Sequence, residues 1–421
     1  MKNARMKKIG LTFGLVGLAL GLSGIKAYAA DTAAPTSKDV RFTKTLVSPA
    51  SNLAEIPDMK FDFTFTGVGF YPYSGNGVAD QADGSVTVPD LASQEIKFTE
   101  QDMKAANDKD GMNTVTKQST DVIGGVTFPK AGVYQYTVKE ADDTNTFAPD
   151  PNKKEEVTYD GNTYTLRIWV TMDKNGNNTP SGTVDKVEKV VVTDKNANKV
   201  DPTPVTPTPT PDTPVDPDHP VVPTPEPNKT FNFKNIYTVT ASDKPFDGND
   251  PKTAPFWISK EVKGQMADNT LDFDYTLDIA ANELTAGKDY ELNIKRTNDD
   301  VDKVKVTPGT PATFKLKHGE IAYFEKIPAG AMVNVKEADT ADYDEANEAT
   351  FNGETPVTGT LEAAGALGTK GDNSVAYTNT QNGGDITPTG ILLNNFPYIA
   401  LILAGFAGLA FYIVKKRHQD A

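Results

Sequence analysis

Six polar side chains occupy positions that the strand pattern assigns to an apolar face. Alternate residues of a β-strand point to the same side of the sheet, so Lys44 shares its face with Val40, Phe42 and Leu46. The same alternation places two lysines, two glutamates and two asparagines among apolar neighbours: Lys44, Glu140, Asn235, Lys260, Glu337 and Asn379. The order Lys, Glu, Asn therefore occurs twice along the chain.

A buried lysine beside a buried glutamate and an asparagine can react. Burial favours the neutral amine of the lysine and the neutral acid of the glutamate. A neutral amine is a nucleophile, and a protonated carboxyl group can polarise the carboxamide and pass a proton to departing ammonia. We therefore predict isopeptide bonds that join Lys44 to Asn235 and Lys260 to Asn379, promoted by the acids Glu140 and Glu337. The alternative is a buried Lys–Glu salt bridge with a hydrogen-bonded asparagine.

The composition excludes several other kinds of chemistry. The chain has 421 residues, no cysteine, a formal net charge of −15 and three widely separated histidines, His219, His318 and His418. Disulfides, thiolate metal sites and a cysteine nucleophile are therefore excluded, and a histidine-based triad is not expected. We predict no cofactor and no enzymatic turnover beyond the single self-crosslinking event. No metal ligands are identified, and calcium binding by the acidic loops stays open, although no EF-hand spacing is present. The excess of acidic residues also argues against nucleic acid as a partner.

Apolar residues recur at every second position in several segments, and this alternation predicts the strands that could position the six residues. Four segments show it clearly: Phe61–Phe65, Tyr134–Val138, Tyr164–Ile168 and Phe231–Phe233. The sequence GVYQYTVKEAD at 132–142 is echoed by GAMVNVKEAD at 330–339. This diverged repeat predicts two related all-β domains, each an immunoglobulin-like (Cna-B-like) sandwich, with short helical turns only near residues 100–106 and 280–284.

The two ends of the chain have the features of a secreted precursor. Residues 1–29 combine a basic start, an apolar run and the small-x-small pattern Ala27-Tyr28-Ala29, which predicts a signal peptide. Residues 396–414 are apolar and long enough for a transmembrane helix, and the basic tail 415–421 follows at once. A tail-anchored membrane protein is the alternative for this C-terminal segment.

A pentapeptide precedes the apolar segment and completes a recognisable order of signals. It reads Ile386-Thr387-Pro388-Thr389-Gly390. Pentapeptide, apolar helix and basic tail together resemble the cell-wall sorting signal of Gram-positive surface proteins. The resemblance implies that a sortase cleaves between Thr389 and Gly390, forms a Thr acyl-enzyme and transfers it to an amine. The pentapeptide departs from the family pattern L-P-x-T-G, which leaves the class of sortase open.

The two sets of Lys, Glu and Asn, together with the strands that bear them, resemble the two-domain backbone pilins of Gram-positive bacteria, of the streptococcal T-antigen type. The motifs that match are Phe42-Thr43-Lys44, Tyr134-x-Tyr136-x-Val138-x-Glu140, Phe233-x-Asn235-x-Tyr237, Ile258-Ser259-Lys260, Val333-x-Val335-x-Glu337 and Tyr377-x-Asn379. In that family the lysine and the asparagine lie on the first and last strands of each domain. The resemblance therefore implies a first domain over 30–240, a linker over 241–255 and a second domain over 256–381. The proline-rich stretch 202–227, a linker by composition alone, becomes an insertion within the first domain.

The resemblance implies a major pilin subunit, or fimbrial protein, that sortase polymerises into a covalent fibre on the cell wall. Expected partners are sortase and neighbouring pilin subunits, with accessory pilins, peptidoglycan and host surface ligands as further candidates. Lys229, six residues before Asn235, is the expected acceptor lysine, while Lys130, Lys195 and Lys199 remain alternatives. The alternative function is an adhesin that sortase anchors singly and does not polymerise.

Overall fold

The computed structural model describes residues 39–74, 77–106, 108–141, 154–171, 186–201, 230–242, 244–265 and 267–381. The chain divides into two compact units, Met1–Val239 and Thr240–Ala421. Nearly every regular element in the described ranges is a β-strand, which confirms the all-β prediction. No helix in these ranges has both the length and the apolar character needed to cross a bilayer. The predicted signal peptide 1–29, the predicted insertion 202–227, the predicted transmembrane segment 396–414 and the tail 415–421 lie outside the described residues.

The first unit contains twelve described strands and one short helix. The strands are β1 (Thr43–Pro49), β2 (Met59–Tyr71), β3 (Tyr73–Ser74), β4 (Gly77–Val78), β5 (Gln94–Phe98), β6 (Met112–Gln118), β7 (Gly132–Glu140), β8 (Glu156–Thr158), β9 (Thr163–Thr171), β10 (Lys186–Thr193), β11 (Lys199–Val200) and β12 (Asn232–Thr238). The helix α1 (Glu100–Ala105) begins at a capping box formed by Thr99 and Asp102.

Two sheets form the core of the first unit. One has the strand order β6-β1-β12-β8 and the other β11-β10-β9-β7-β2-β5, while β3 and β4 form a separate hairpin. The first and last strands, β1 and β12, are parallel neighbours. Aromatic rings join the two sheets: the centroids of Phe42 and Phe63 are 4.5 Å apart, and those of Phe63 and Phe233 are 5.0 Å apart. The apolar alternation therefore buries one face of each sheet against the other.

The second unit repeats this plan with eleven described strands. They are β13 (Phe256–Lys263), β14 (Phe273–Ile279), β15 (Tyr290–Lys295), β16 (Val301–Val306), β17 (Ala312–Leu316), β18 (Ile321–Phe324), β19 (Met332–Glu337), β20 (Tyr343–Thr350), β21 (Val357–Gly359), β22 (Glu362–Ala366) and β23 (Ser374–Gln381). The strand orders are β16-β15-β18-β13-β23-β20-β21 and β17-β14-β19-β22. Again the first and last strands, β13 and β23, are parallel neighbours.

The segment 241–255, which the sequence predicts to be a linker, packs within the second unit. The Ala241 N–H donates a hydrogen bond to Ile327 O over 2.9 Å. The buried Asn373 side chain donates to the carbonyl oxygens of Ala241 and Pro255 over 3.0 and 3.1 Å. A short 3₁₀ helix, Pro251–Thr253, lies between these two anchor points. These described residues of the segment thus belong to the folded unit, because Asn373 satisfies backbone groups at both of its ends.

Candidate functional site

The first cluster is built from both sheets of the first unit. Lys44 lies on β1 and Asn235 on β12, and the parallel register pairs Leu46 with Asn235. The lysine and the asparagine are therefore diagonal neighbours on the inner face of one sheet. Glu140 is the last residue of β7 in the facing sheet, where it pairs with Phe63 of β2. The structure brings all three predicted side chains together.

A single carboxylate oxygen of Glu140 joins the amine to the carboxamide. Lys44 Nζ lies 2.8 Å from both Glu140 Oε1 and Glu140 Oε2. Asn235 Nδ2 donates to the same Oε1 over 2.6 Å. Lys44 and Asn235 are fully buried, and the Glu140 residue is 9% exposed. The nucleophile, the acid and the amide nitrogen thus meet without direct access of water.

Burial shifts the ionisation of both charged groups toward their neutral forms. Desolvation lowers the pKa of Lys44 from 10.5 to about 8, and the attraction of Glu140 opposes this change only in part. Desolvation also raises the pKa of Glu140, although Lys44 and Asn235 act in the opposite direction. Lys44 Nζ lies 4.7 Å from the centroid of the Phe61 ring. An aromatic wall therefore replaces water on that side of the amine.

The carboxamide oxygen of Asn235 has a partner that the sequence did not reveal. The backbone N–H of Asp160 donates to Asn235 Oδ1 over 2.7 Å. The Asp160 carboxylate fixes this loop, because it accepts hydrogen bonds from the backbone N–H groups of Lys234 and Asn162 over 2.6 and 2.8 Å. In the sequence, residues 160–162 have only the composition of a turn. A side-chain pattern does not reveal a backbone donor.

The second cluster has the same construction in the second unit. Lys260 lies on β13 and Asn379 on β23, and the register pairs Val262 with Asn379. Glu337 ends β19 in the facing sheet. Lys260 Nζ lies 2.5 Å from Glu337 Oε1, and Asn379 Nδ2 lies 2.6 Å from the same oxygen. Lys260 is 2% exposed, while Glu337 and Asn379 are fully buried.

The ionisation of the second cluster follows the first. Desolvation lowers the pKa of Lys260 from 10.5 to about 8, against the attraction of Glu337. Desolvation raises the pKa of Glu337, and the amine of Lys260 counteracts part of this rise. The Phe273 ring lies under the amine, with its centroid 3.9 Å from Lys260 Nζ.

The two clusters differ in how their remaining polar atoms are satisfied. In the second cluster, Asn379 Oδ1 is buried and has no hydrogen-bond partner among the described residues, whereas the Tyr275 hydroxyl interacts with the Glu337 carboxyl group. Tyr275 lies directly opposite Glu337 across β14 and β19, in the position that Phe63 takes opposite Glu140. Desolvation, with a smaller contribution from Glu337, raises the pKa of Tyr275 well above its usual value. Nothing in the sequence pattern singles out Tyr275.

No metal site is evident in the part of the chain that the structure describes, where no three His, Asp or Glu side chains could hold an ion. Several predicted functional residues lie outside that part: Lys229, Ile386, Thr387, Pro388, Thr389 and Gly390. Of the alternative acceptor lysines, Lys130, Lys195 and Lys199 are all exposed. The backbone of Lys130 is fixed, because the Tyr134 hydroxyl accepts from its N–H over 3.0 Å and donates to its carbonyl oxygen over 2.8 Å.

Comparison with known proteins links this geometry to a family of domains. Residues 79–238 match the family model of the Spy0128-like isopeptide containing domain. Residues 256–381 match the model of a domain of unknown function, DUF7601. A pilin of Streptococcus pyogenes serotype M1 is 24% identical over 321 residues, which cover 74% of this chain and 75% of that pilin.

Solved structures of two pilins also match the chain. The major pilin of Streptococcus pyogenes is 20% identical, and the match covers 82% of this chain and 99% of that one, with a TM-score of 0.32. A second major pilin of this species, T3.2, is 19% identical over 82% of this chain and 99% of its own, with a TM-score of 0.30. The domain match and the sequence relative, not these low TM-scores, connect the chain with pilins.

Proposed function

We propose that this chain is a major pilin subunit. Its residues 79–238 match the model of the Spy0128-like isopeptide containing domain, and the chain is similar to a streptococcal pilin. Its place is the extracellular pilus of a Gram-positive bacterium, where it assembles with other pilin subunits. The main observation in support is the duplicated buried Lys–Glu–Asn cluster, since each cluster joins the first and last strands of its unit. An isopeptide bond there ties the ends of each unit together.

The proposed crosslinking reaction is a transfer of the asparagine acyl group from ammonia to lysine. Lys44 Nζ attacks Asn235 Cγ, so that the Nζ–Cγ bond forms and the Cγ–Nδ2 bond breaks. Glu140 takes a proton from the amine and delivers it to the departing nitrogen, which leaves as ammonia. The shared oxygen Oε1 supports this role, because it lies within hydrogen-bond distance of both nitrogen atoms. Lys260, Glu337 and Asn379 would react in the same way.

Burial supplies much of the driving force for this reaction. A buried ion pair loses hydration that its mutual attraction repays only in part. Formation of the amide bond removes the charge of the lysine. Folding has already placed the reacting groups together, so the reaction does not have to bring them into contact. The fold therefore acts on itself once, and no turnover follows.

Polymerisation requires a second enzyme and a second lysine. In our proposal a sortase recognises Ile386-Thr387-Pro388-Thr389-Gly390, cleaves after Thr389 and joins this threonine to Lys229 of the next subunit. Lys229 precedes β12, the strand that contains Asn235. The exposed Lys130 remains an alternative acceptor, supported by the two hydrogen bonds that fix its backbone. The last subunit would be transferred to peptidoglycan.

The size distribution of wall-linked material tests this function against single anchoring. Cell-wall extracts boiled in detergent should show a ladder of regularly spaced species, because the linkages between subunits are covalent. Thr389→Ala should abolish the ladder, and Lys229→Ala should do so if Lys229 is the acceptor. Lys97→Ala and Lys326→Ala, at exposed lysines that are not candidate acceptors, serve as matched controls. One discrete wall-linked band from the unaltered chain would instead indicate an adhesin that is anchored singly.

A further inference from the structure

The two crosslinking clusters differ at the atom that must become negatively charged during the reaction. Attack of an amine on a carboxamide converts its oxygen into an oxyanion, which a preorganised hydrogen-bond donor stabilises. Asn235 Oδ1 already accepts such a bond from the Asp160 N–H over 2.7 Å. In the second unit, no described group donates to the buried Asn379 Oδ1.

The orientation of the Asn235 carboxamide follows from the chemistry of its partners. A backbone N–H can only donate, so the atom that faces Asp160 N must be the carboxamide oxygen. The amide nitrogen then faces Glu140 Oε1, 2.6 Å away. The oxygen that gains charge and the nitrogen that leaves are thus held by different groups, on opposite sides of the reacting carbon.

We infer that the backbone amide of Asp160 is the oxyanion donor for the Lys44–Asn235 crosslink, and that the Asp160 carboxylate positions it. The inference rests on the proposed crosslinking function. It assigns Glu140 the proton transfer from Lys44 Nζ to Asn235 Nδ2, while the Asp160 N–H stabilises the oxygen. Each bond change stays as described above, with ammonia as the only leaving group.

The architecture explains why only the first unit has this donor. Beside β12, strand β8 ends at Thr158, and the chain then turns so that the Asp160 N–H reaches a side chain instead of a neighbouring strand. The Asp160 carboxylate replaces the missing ladder by accepting from Lys234 N. Beside β23, by contrast, β20 pairs without interruption from Tyr343 to Thr350. The backbone opposite Asn379 is therefore part of a regular strand pair and not of a turn.

The sharpest test removes the Asp160 N–H donor while it keeps every side chain. The full chain is synthesised with the α-hydroxy analogue of aspartate at position 160, so that an ester oxygen replaces the N–H. Mass spectrometry with peptide mapping then follows both crosslinks over time. We expect the Lys44–Asn235 bond to form about a hundredfold to a thousandfold more slowly, as when an enzyme loses one oxyanion donor. The Lys260–Asn379 bond in the same molecule should form at the unaltered rate.

A pair of ordinary variants tests the positioning role of the carboxylate. Asp160→Ala should also slow the first crosslink. Asp194→Ala is its matched control, because Asp194 accepts backbone hydrogen bonds from Asn196 and Asn198 in another loop of the same unit. Melting temperatures are measured in a Lys44→Met background, where the first crosslink cannot form. A lower melting temperature there would show that the substitution destabilises the fold, whereas an unchanged one would show that it slows the reaction.

The outcomes are distinct. A slow first crosslink with unchanged melting of the Lys44→Met background supports the assignment. An unaltered rate in the ester chain overturns it, and so does equal slowing by Asp194→Ala. Absence of both crosslinks from the unmodified chain would refute the proposed crosslinking itself, and the role of Asp160 with it.

Discussion

Glu140 and Glu337 each contact an amine and a carboxamide nitrogen through one oxygen atom, which makes them the residues whose removal is most informative. Glu140→Ala should prevent the first bond and Glu337→Ala the second, so each chain should retain the mass of one ammonia that the parent loses. Loss of the first bond should lower the free energy of unfolding by about 5 kcal/mol, because this bond closes a loop of more than 100 residues in the unfolded chain.

Intact mass with peptide mapping checks this expectation. The exposed Glu95, which pairs with Lys60 and Lys97, offers a matched control, since Glu95→Ala should leave both masses unchanged. Full loss of both ammonia molecules from the Glu140→Ala chain would show that the carboxyl group is dispensable.

The buried lysines should give the uncrosslinked fold an unusual dependence on pH. In a chain with Asn235→Ala and Asn379→Ala neither bond can form, and both amines stay buried. Their folded pKa of about 8 lies below the 10.5 of the unfolded state, so the unfolded chain binds more protons between these values. Stability should therefore rise from pH 8 to pH 9.5, by about 1–2 kcal/mol per lysine.

Denaturant titrations across this pH window measure the effect. Further replacement of both residues, Lys44→Met and Lys260→Met, should remove most of the rise. A slope that is the same with and without the two lysines would mean that the folded state holds them as ordinary charged groups.

Side-chain parity in the sequence placed the six polar residues on inward faces, because a strand fixes which residues share a face, and the family resemblance assigned Asn235 to the first domain. Glu140 lies 96 and 95 positions from Lys44 and Asn235 in the chain, yet the three side chains meet. Their placement on inward faces is consistent with this contact. The Asp160 donor could not be predicted in this way, because it is a backbone group placed by a loop. Tyr275 was missed for a different reason: an aromatic residue in an apolar register is usually part of the core.

At the scale of elements, the position of Glu140 depends on how β7 packs against β2. Gly132 begins β7, and a Cβ atom there would lie 2.3 Å from the Phe70 ring and 2.8 Å from Tyr71 O. Gly132→Ala must therefore displace β2 or β7, and should lower the free energy of unfolding by about 1–3 kcal/mol, as overpacked cores do. At the exposed Gly84, a Cβ atom would meet no other atom within 4 Å, which makes Gly84→Ala the control.

Unfolding of these variants should be measured in the Glu140→Ala background, where the proposed first bond cannot hide a loss of stability. Equal stability of the Gly132→Ala and Gly84→Ala chains would show that β2 and β7 can move apart with no loss of free energy of unfolding.

The sequence predicted the strands that bear the clusters better than it predicted the sheets. Alternation of apolar residues identified parts of β2, β7, β9 and β12, and the repeat at Glu140 and Glu337 indicated two units. Strand order depends on long-range pairing, which local periodicity does not encode. The assignment of 241–255 as a linker shows the same limit, because the side chain that anchors this segment, Asn373, lies more than 100 residues away.

At the scale of the whole molecule, the proposed linkages define which bonds bear load in a fibre. Tension would enter one subunit at Lys229 and leave at Thr389. Between Lys229 and Lys260 the load follows the main chain, and from Lys260 it can pass directly to Asn379 through the second isopeptide bond. The loop between these two residues is then shielded. The Lys44–Asn235 bond lies off this path and only attaches the rest of the first unit to β12.

Single-molecule force measurements test whether the second isopeptide bond bears the load and the first does not. The chain contains no cysteine, so Lys229→Cys and Thr389→Cys provide unique attachment points. The crosslinked chain should lengthen by no more than about 100 Å, as β12 and the residues up to Lys260 straighten. Glu337→Ala should add about 400 Å, because the residues between Lys260 and Asn379 can then extend. Glu140→Ala should add nothing, since the first bond bears no load between these points. A large extension that depends on Glu140 instead would contradict this load path, and a large extension of the parent chain would contradict the second bond.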